Sequence, residues 1–348
     1  MSIQVILKSY GFDETSVSVK RFGSGLINNT WMVTNGTNNY ILQRINQNVF
    51  KEPETIADNI DCIGNYLANA FPDYKFTFPV RALNGDSLLY NESDGYFRMF
   101  LFVKGSHSKD VVETPNQAFE AAVQFGRFTN LLTGFDAAKL KITISDFHNL
   151  SLRYKQFLRA LKNGNSERIK EAGKIINTLH GHNEIVTTYE NITKSNNFKL
   201  RVTHHDTKIG NVLFGEDDKG LCVIDLDTVM PGYFISDVGD MMRTYLSPVS
   251  EDERDFSKIE IRDDFYKAIV QGYYSEMKNV LTEMEKKYFF YAGTFIIYMQ
   301  ALRFLTDHLN NDIYYGAKYP GHNLVRANNQ VVLLQGLIEK KVNLQNIL

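Results

Sequence analysis

A chain of 348 residues with 43% hydrophobic and 22% charged side chains has the composition of an ordinary globular protein. That length allows one large or two modest domains with a sizeable core. A formal net charge of −2, with no long Lys/Arg run, excludes the basic stripe that a nucleic-acid partner requires.

The first hundred residues read as strands around one helix. "TWMVT" and "NYILQRI" are β-rich runs separated by "NGTNN", a hairpin signal. Next, "KEPETIADNIDCIGNYLANAF" sets Ile56, Ile60, Ile63 and Leu67 at helical spacing, with Pro53 near the start. Two further strands are expected around "DSLLYN" and "GYFRMFLFV", joined by a turn over 91–95. After "KGSHSKD" the pattern changes to helices, over 116–132, 151–162, 167–179, 262–284 and 285–308. Two β-like runs interrupt them, "RVTHHDTKIGNVLF" and "LCVIDLDTVM". The expected architecture is α+β and two-lobed: a small β-rich lobe over 1–104 and a larger, mainly helical lobe over 105–348. A cleft between two lobes is a common place for a small-molecule site.

Cys62 and Cys222 lie far apart and outside any CxxC pattern, as buried thiols of a reducing cytosol would. The N-terminus lacks the basic and apolar regions of a signal peptide. The most apolar run, "YFFYAGTFIIYM", is too short and tyrosine-rich to span a bilayer. The expectation is a soluble, cytoplasmic protein without membrane partners.

The chemistry concentrates in the first of the two interrupting runs. His204, Asp206 and Asn211 form H-x-D-x-x-x-x-N, the pattern of a kinase catalytic loop. Phosphoryl transfer to a hydroxyl needs a carboxylate that orients the hydroxyl and takes its proton, and Asp206 is placed for it. The amide oxygen of Asn211 suits a hard cation such as Mg²⁺. Lys208 can meet the transferring phosphate as a point charge, while His204 is expected to brace the loop. "VIDLDT" adds Asp225 and Asp227, about fourteen residues after Asn211, a separation that a short hairpin closes. On a strand those two aspartates would face the same side. Asp225 is expected to be the principal metal ligand, and Asp227 a ligand of a second ion or an outer contact. A zinc hydrolase using His204, His205, Asp206 and Asp225 is the rival reading, but no HExxH is present and zinc explains neither Lys208 nor Asn211.

With those residues in view, the chain resembles the aminoglycoside phosphotransferase and choline kinase superfamily, which has a protein-kinase-like fold. Within it the chain is most similar to the N-acetylhexosamine 1-kinases. The likeness runs from "FGSGLINNTWMV" through "YILQRINQNVFKEPE", "VTHHDTKIGNVLF", "VIDLDTVMPG" and "SDVGDMMRT" to "RFLTDHLNNDIYYGAKYPGHNLVRANNQ". It implies an ATP site between the lobes, with Gly23, Ser24 and Gly25 over the phosphates and Asn28 and Thr30 at the far end of that loop. Gln43 and Arg44 fall on the phosphate-facing strand, and Phe102 and Val103 in a connector over 98–105 that would hold the adenine edge. Asp206 would be the base, Asn211 and Asp225 would carry magnesium, and Asp237 and Asp240 would steady the catalytic loop. Arg303 matches a sugar-binding position, with Tyr314, Tyr315, His322 and Arg326 as further acceptor-site candidates. Arg303 could otherwise pair with Asp307, four residues on.

Three positions depart from the family pattern. Gln43 stands where many members have the phosphate-binding lysine, with Arg44 beside it on the opposite strand face. Leu26 stands where the group commonly has a histidine associated with the sugar. Gly210 replaces a frequent asparagine. The resemblance implies an ATP- and Mg²⁺-dependent kinase for the anomeric hydroxyl of N-acetylglucosamine or N-acetylgalactosamine. The alternatives are a choline- or aminoglycoside-type kinase, whose cationic acceptors usually recruit acidic pockets, and a binding module without catalysis.

Overall fold

The structure is a computed structural model that describes residues 2–13, 16–23 and 27–347. Helix α1 (Ser2–Ser9) precedes β1 (Val17–Arg21), β2 (Asn29–Asn35) and β3 (Asn38–Arg44). Gly36, at φ 58°, supplies the left-handed turn between β2 and β3, so the hairpin forms where the "NG" pair places it. Helix α2 (Pro53–Ala70) follows, then β4 (Leu89–Asn91) and β5 (Gly95–Leu101). The five strands form one antiparallel sheet in the order β1-β2-β3-β5-β4. The register sets Gln43 of β3 opposite Arg98 of β5.

The helical part comprises α3 (Pro115–Leu131), α4 (Leu150–Asn163), α5 (Ser166–Glu171), α6 (Gly173–Gly181) and α7 (Glu184–Lys194). Two pairs of short strands come next: β6 (Arg201–Thr203), β7 (Val212–Phe214), β8 (Gly220–Val223) and β9 (Met230–Gly232). Helices α8 (Phe234–Tyr245), α9 (Asp263–Met277), α10 (Phe289–Leu309), α11 (His322–Glu339) and α12 (Lys341–Leu344) complete the chain. Helix α3 starts where its residues dictate: Pro115 occupies the first turn and the Thr114 hydroxyl accepts the Gln117 N–H.

Two expected helices are divided. The segment 167–179 breaks at Ala172, before Gly173, where glycine weakens helix propagation. The segment 285–308 begins as a 3₁₀ turn, and α10 starts at Phe289. That turn carries Glu285, fully buried, which accepts from the Arg201 guanidinium at 2.6 and 2.9 Å. The α9 region also ends earlier than expected, at Met277 rather than 284. The pattern had left α1, β1, α7, α8, α11 and α12 unassigned.

Two apolar clusters organise the molecule. The smaller joins α1 to one face of the sheet through Ile6, Leu7, Val33, Leu42, Phe97 and Met99. The larger holds the helical part and also takes the Ile56–Ile60–Ile63–Leu67 face of α2. The helix of the N-terminal region therefore packs with the second cluster rather than the sheet's own. No helix among the described residues is long and apolar enough to cross a membrane.

Candidate active site

The two antiparallel pairs, β6 with β9 and β7 with β8, bring two loops side by side, 204–211 and 224–229. Backbone and side-chain bonds stitch them: the Ile224 N–H donates to Asn211 O at 2.9 Å, and the Thr228 hydroxyl donates to His204 O at 2.6 Å. His204 and Phe125 rings meet edge to face at 5.1 Å, seating the loop on α3. Each loop contains a left-handed non-glycine residue, His205 (φ 66°) and Asp225 (φ 61°), a backbone state that must be held by its surroundings.

Helix α8 does much of that holding. The buried Asp237 carboxylate accepts the N–H groups of His204 (3.0 Å) and His205 (2.8 Å), and Asp240 accepts the Thr207 N–H (2.8 Å). Tyr245 adds its hydroxyl to Thr207 O at 2.5 Å. Burial pushes the Asp237 carboxyl up to about 7, against the pull of its two amide donors. Asp240 is raised for the same first reason and opposed by Arg243.

These clamps fix Asp206. One of its oxygens accepts from Lys208 Nζ at 2.9 Å and from Asn211 Nδ2 at 3.0 Å, while its other oxygen accepts nothing among the described residues. Burial raises the Asp206 carboxyl, but Lys208, His204 and Asn211 together bring it below the ordinary carboxylate value. It is therefore ionised at neutral pH and able to receive a hydroxyl's hydrogen bond. Both histidines are engaged. His204 Nε2 meets Ile224 O at 2.9 Å and its Nδ1 accepts the Asp206 N–H at 3.4 Å. His205 Nε2 meets the Thr203 hydroxyl at 2.7 Å and its Nδ1 meets His148 Nδ1 at 3.4 Å. Burial pushes His205 down to about 4. With their ring nitrogens spent, the pair braces the loop and offers no zinc ligands.

The carboxylates of the second loop differ from their expected placement. The strand ends at Val223, and Asp225 is left-handed while Asp227 lies in a 3₁₀ turn over Leu226–Thr228. Strand alternation therefore does not relate them. Asp225 accepts no hydrogen bond among the described residues, and burial, with Asp227 nearby, pushes its carboxyl up to about 7. The Asn211 amide donates its N–H to Asp206 O at 2.8 Å as well, which turns its oxygen away from that partner, and that oxygen accepts nothing among the described residues. An under-neutralised carboxylate beside a free amide oxygen, brought together by the Val212–Val223 pairing, is a donor set that fits a hard divalent cation. Asp227 is occupied instead: Asn28 Nδ2 donates to it at 2.8 Å, and Arg98 Nη1 lies 2.5 Å from its other oxygen.

On the sheet side, Gln43 faces the cleft and Arg44 faces away, toward Asp94 at 3.4 Å. Gln43 Oε1 accepts from Arg98 Nε and Nη2 at 3.0 and 2.9 Å, and Gln43 Nε2 donates to the Thr30 hydroxyl at 3.5 Å. Strand β5 continues to Leu101, so Arg98 belongs to the sheet, and the connector begins only at Phe102. Phe102 N–H donates to Asn39 O, and Val103 O accepts from Ser106. Gly23 is left-handed (φ 77°) in open space; Ser24, Gly25 and Leu26 lie outside the described residues.

The acceptor candidates divide. Arg303, Tyr314 and Tyr315 line a cavity of about 390 Å³ between α4 and α10, together with Arg153 and Arg159. Arg303 does not pair with Asp307, because that carboxylate accepts the N–H groups of Tyr314 and Tyr315 and an amide N–H of Asn323. Arg303 donates to Gln300 at 3.2 Å and lies against the rings of Phe147 and Tyr315. Phe147 stacks on His148, which touches His205 beside the candidate base. His322 and Arg326 lie outside the cavity lining, held by Asp252 and Glu251. Arg98, Arg153 and Arg159 were not singled out from the sequence. Arg98 was legible in principle, as the position opposite Gln43 once the strands are registered; the α4 arginines read as an ordinary solvated face.

Residues 18–278 match the model of a phosphotransferase enzyme family, APH. Solved structures give the same fold over nearly the whole chain. An aminoglycoside phosphotransferase from Alicyclobacillus acidocaldarius subsp. acidocaldarius is 14% identical at a TM-score of 0.65, covering 98% of this chain and 96% of its own. A choline kinase from Cryptosporidium parvum is 14% identical at 0.60, covering 100% and 97%. The amicoumacin kinase hAmiN, in complex with AMP-PNP, Ca²⁺ and Ami, is 14% identical at 0.63, covering 96% and 92%. The fold is thus α+β, two-lobed and protein-kinase-like.

Proposed function

Because the chain belongs to the APH phosphotransferase family, we propose that it transfers the terminal phosphoryl group of ATP to the anomeric hydroxyl of an N-acetylhexosamine, N-acetylglucosamine or N-acetylgalactosamine. The nucleotide is held mainly by residues 1–104 and the acceptor by residues 105–348. One observation carries the reading: an ionised Asp206 with a free oxygen, flanked by Lys208, stands beside the Asn211–Asp225 donor set.

In this mechanism Asp206 orients the acceptor hydroxyl and takes its proton, and Lys208 offsets charge on the transferring group. Asn211 and Asp225 would hold Mg²⁺, which would supply charge neutralisation for the polyphosphate. The residues contribute positioning and electrostatics, the main needs of phosphoryl transfer. A binding module without catalysis has no use for this assembly.

The acceptor side favours a sugar over a choline- or aminoglycoside-type cation. The cavity beside Arg303 has three arginines, none in an ion pair among the described residues, and its Asp307 carboxylate is consumed by the Tyr314 and Tyr315 amides and Asn323. A cationic acceptor would meet like charge there, whereas sugar hydroxyls and an acetamido oxygen accept hydrogen bonds from guanidinium groups. The test is ADP release with N-acetylhexosamines, free hexoses, choline and aminoglycosides, with phosphorus NMR of the product. An anomeric sugar phosphate is expected; turnover of the cationic alcohols alone would overturn the reading.

A further inference from the structure

We propose that Arg98 is the cation that receives the nucleotide's phosphates in this chain, and that it is held on Asp227 until they arrive. The inference rests on the phosphotransferase reading above and assigns a role that neither Gln43 nor Arg44 can fill. Arg44 points away from the cleft, toward Asp94. Gln43 carries no charge, but its amide oxygen takes two N–H groups of Arg98 from the adjacent strand. Position 43 therefore aims a longer cation from β5 instead of supplying one from β3.

Burial makes the arrangement consequential. Arg98 and Asp227 are 3% and 2% exposed, and their charges meet at 2.5 Å. Neither charge could be left alone in that setting, because an unpaired buried charge is strongly unfavourable. A polyphosphate with its divalent cation brings the same two charges in opposite order. Exchange of partners, guanidinium to phosphate and carboxylate to metal, leaves no buried charge unpaired. A guanidinium suits the sheet position because its planar fork can bond Gln43 along one edge while Nη1 meets an anion. Asn28 joins the same exchange: its Nδ2 donates to Asp227, and its Oδ1 accepts the Asn46 N–H at 3.0 Å.

The arrangement also accounts for the departure at position 43. A lysine there would stand beside the Arg98 guanidinium as a like charge, so the two solutions exclude each other. Lysine at 43 should work only once Arg98 has lost its charge.

The test is calorimetric binding of MgATP and of adenosine to the full chain, in wild type, Arg98→Met and the double variant Gln43→Lys/Arg98→Met. Arg98→Met should lose about tenfold or more in MgATP affinity with adenosine unchanged, since adenosine has no phosphate. The double variant should regain most of the loss. MgATP affinity of Arg98→Met within about twofold of wild type would overturn the assignment. So would equal losses for MgATP and adenosine, which would make Arg98 architectural. Should Arg98→Met fail to fold, Gln43→Leu serves, since it keeps the charge and removes the oxygen that aims it. It should weaken MgATP about threefold or more with adenosine unchanged, and no change overturns the proposal. A wild type that binds neither ligand would defeat the phosphotransferase reading itself; one that binds MgATP while Arg98→Met binds equally would defeat only the role of Arg98.

Discussion

Asp206 is held by three different kinds of contact: Lys208 on one oxygen, Asn211 on the same oxygen and on its carbonyl, and α8 beneath the loop. Asp206→Asn keeps the shape and removes the proposed proton acceptor. Turnover should fall by roughly 10²–10⁴ while MgATP affinity stays within a few-fold. Near-normal turnover would remove Asp206 as the base. Asp237 lends itself to a pH experiment. Burial raises its folded value to about 7, the His204 and His205 amides oppose this, and Asp240 adds to it. Tyr273, from α9, is in turn raised by burial first and by the Asp237 carboxylate second. A carboxyl raised on folding contributes stability that is fully present below about pH 4 and lost as pH rises through about 7. Asp237 therefore contributes a fall in the urea midpoint, measured with chelator present, between about pH 4 and 7, against a rise contributed by His148, His204 and His205, whose folded values burial lowers. Asp237→Asn should remove that falling contribution, so the variant's midpoint falls less, or rises more, with pH than the wild type's. Asp225, also pushed up to about 7, contributes with the same sign, so the difference between variant and wild type is the quantity to read. Identical slopes would mean that Asp237 does not titrate in this range.

Among elements, α8 matters most to the site; Asp237 and Asp240 were expected to steady the loop, as they do, although the sequence pattern leaves the helix that carries them unassigned. Its apolar stripe is regular, with Phe234, Ile235, Val238, Met241, Met242 and Tyr245 at helical spacing, but ten of its twelve residues are buried, so that Ser236, Asp237 and Asp240 on the polar side are covered by the catalytic-loop region rather than by water. Helix α11 does hide, because Asn323, Asn329 and Gln330 are buried among its apolar residues and blur its period. The hairpin β2–β3 and helix α2 were legible because local chemistry decides them: an Asn–Gly turn, a proline at the first turn and a clean apolar stripe. The candidate catalytic loop could be singled out for another reason, since the proposed chemistry fixes residue types at set spacing. Asp225 was singled out as a candidate by that route, but its left-handed backbone was not foreseen, because a strand was expected to continue through it. Packing of α8 yields a prediction. A Cβ on Gly239 would come within 2.2 Å of Ala292 O and 2.5 Å of Ile296 Cγ1. Gly239→Ala should force α8 away from α10 at a cost of about 1–3 kcal/mol, seen as a lower urea midpoint. Because α8 carries Asp237 and Asp240, kcat should fall with it. A variant as stable as wild type would show that the crossing can relax.

For the whole molecule, charge is distributed around the cleft in an order that matches the proposed chemistry. Arg98 stands on the sheet side, the acidic pair Asp225 and Asp227 at the centre with Asp206 beside it, and Lys208 across from them. Beyond the loop, through His148 and Phe147, lies the arginine-lined cavity. Its three guanidinium groups sit in a chain whose net charge is only −2, so the positive character is a local feature of that face. Arg303 is the one closest in contact to the route back to the base, since it alone of the three lies against the Phe147 ring. Its alternative role as a helix partner of Asp307 is closed by the three donors that already occupy that carboxylate. If Arg303 binds a neutral sugar, Arg303→Ala should lower kcat/KM for the acceptor by roughly ten- to a hundredfold, the worth of a charged donor in a desolvated site. The ATP KM should hardly move, because no part of the sheet or of Asp227 depends on this side chain. Steady-state kinetics with each substrate varied in turn separates the cases. Loss of thermal stability without any change in acceptor kinetics would return Arg303 to a packing role between Phe147 and Tyr315, and the acceptor would have to be sought elsewhere around the loop.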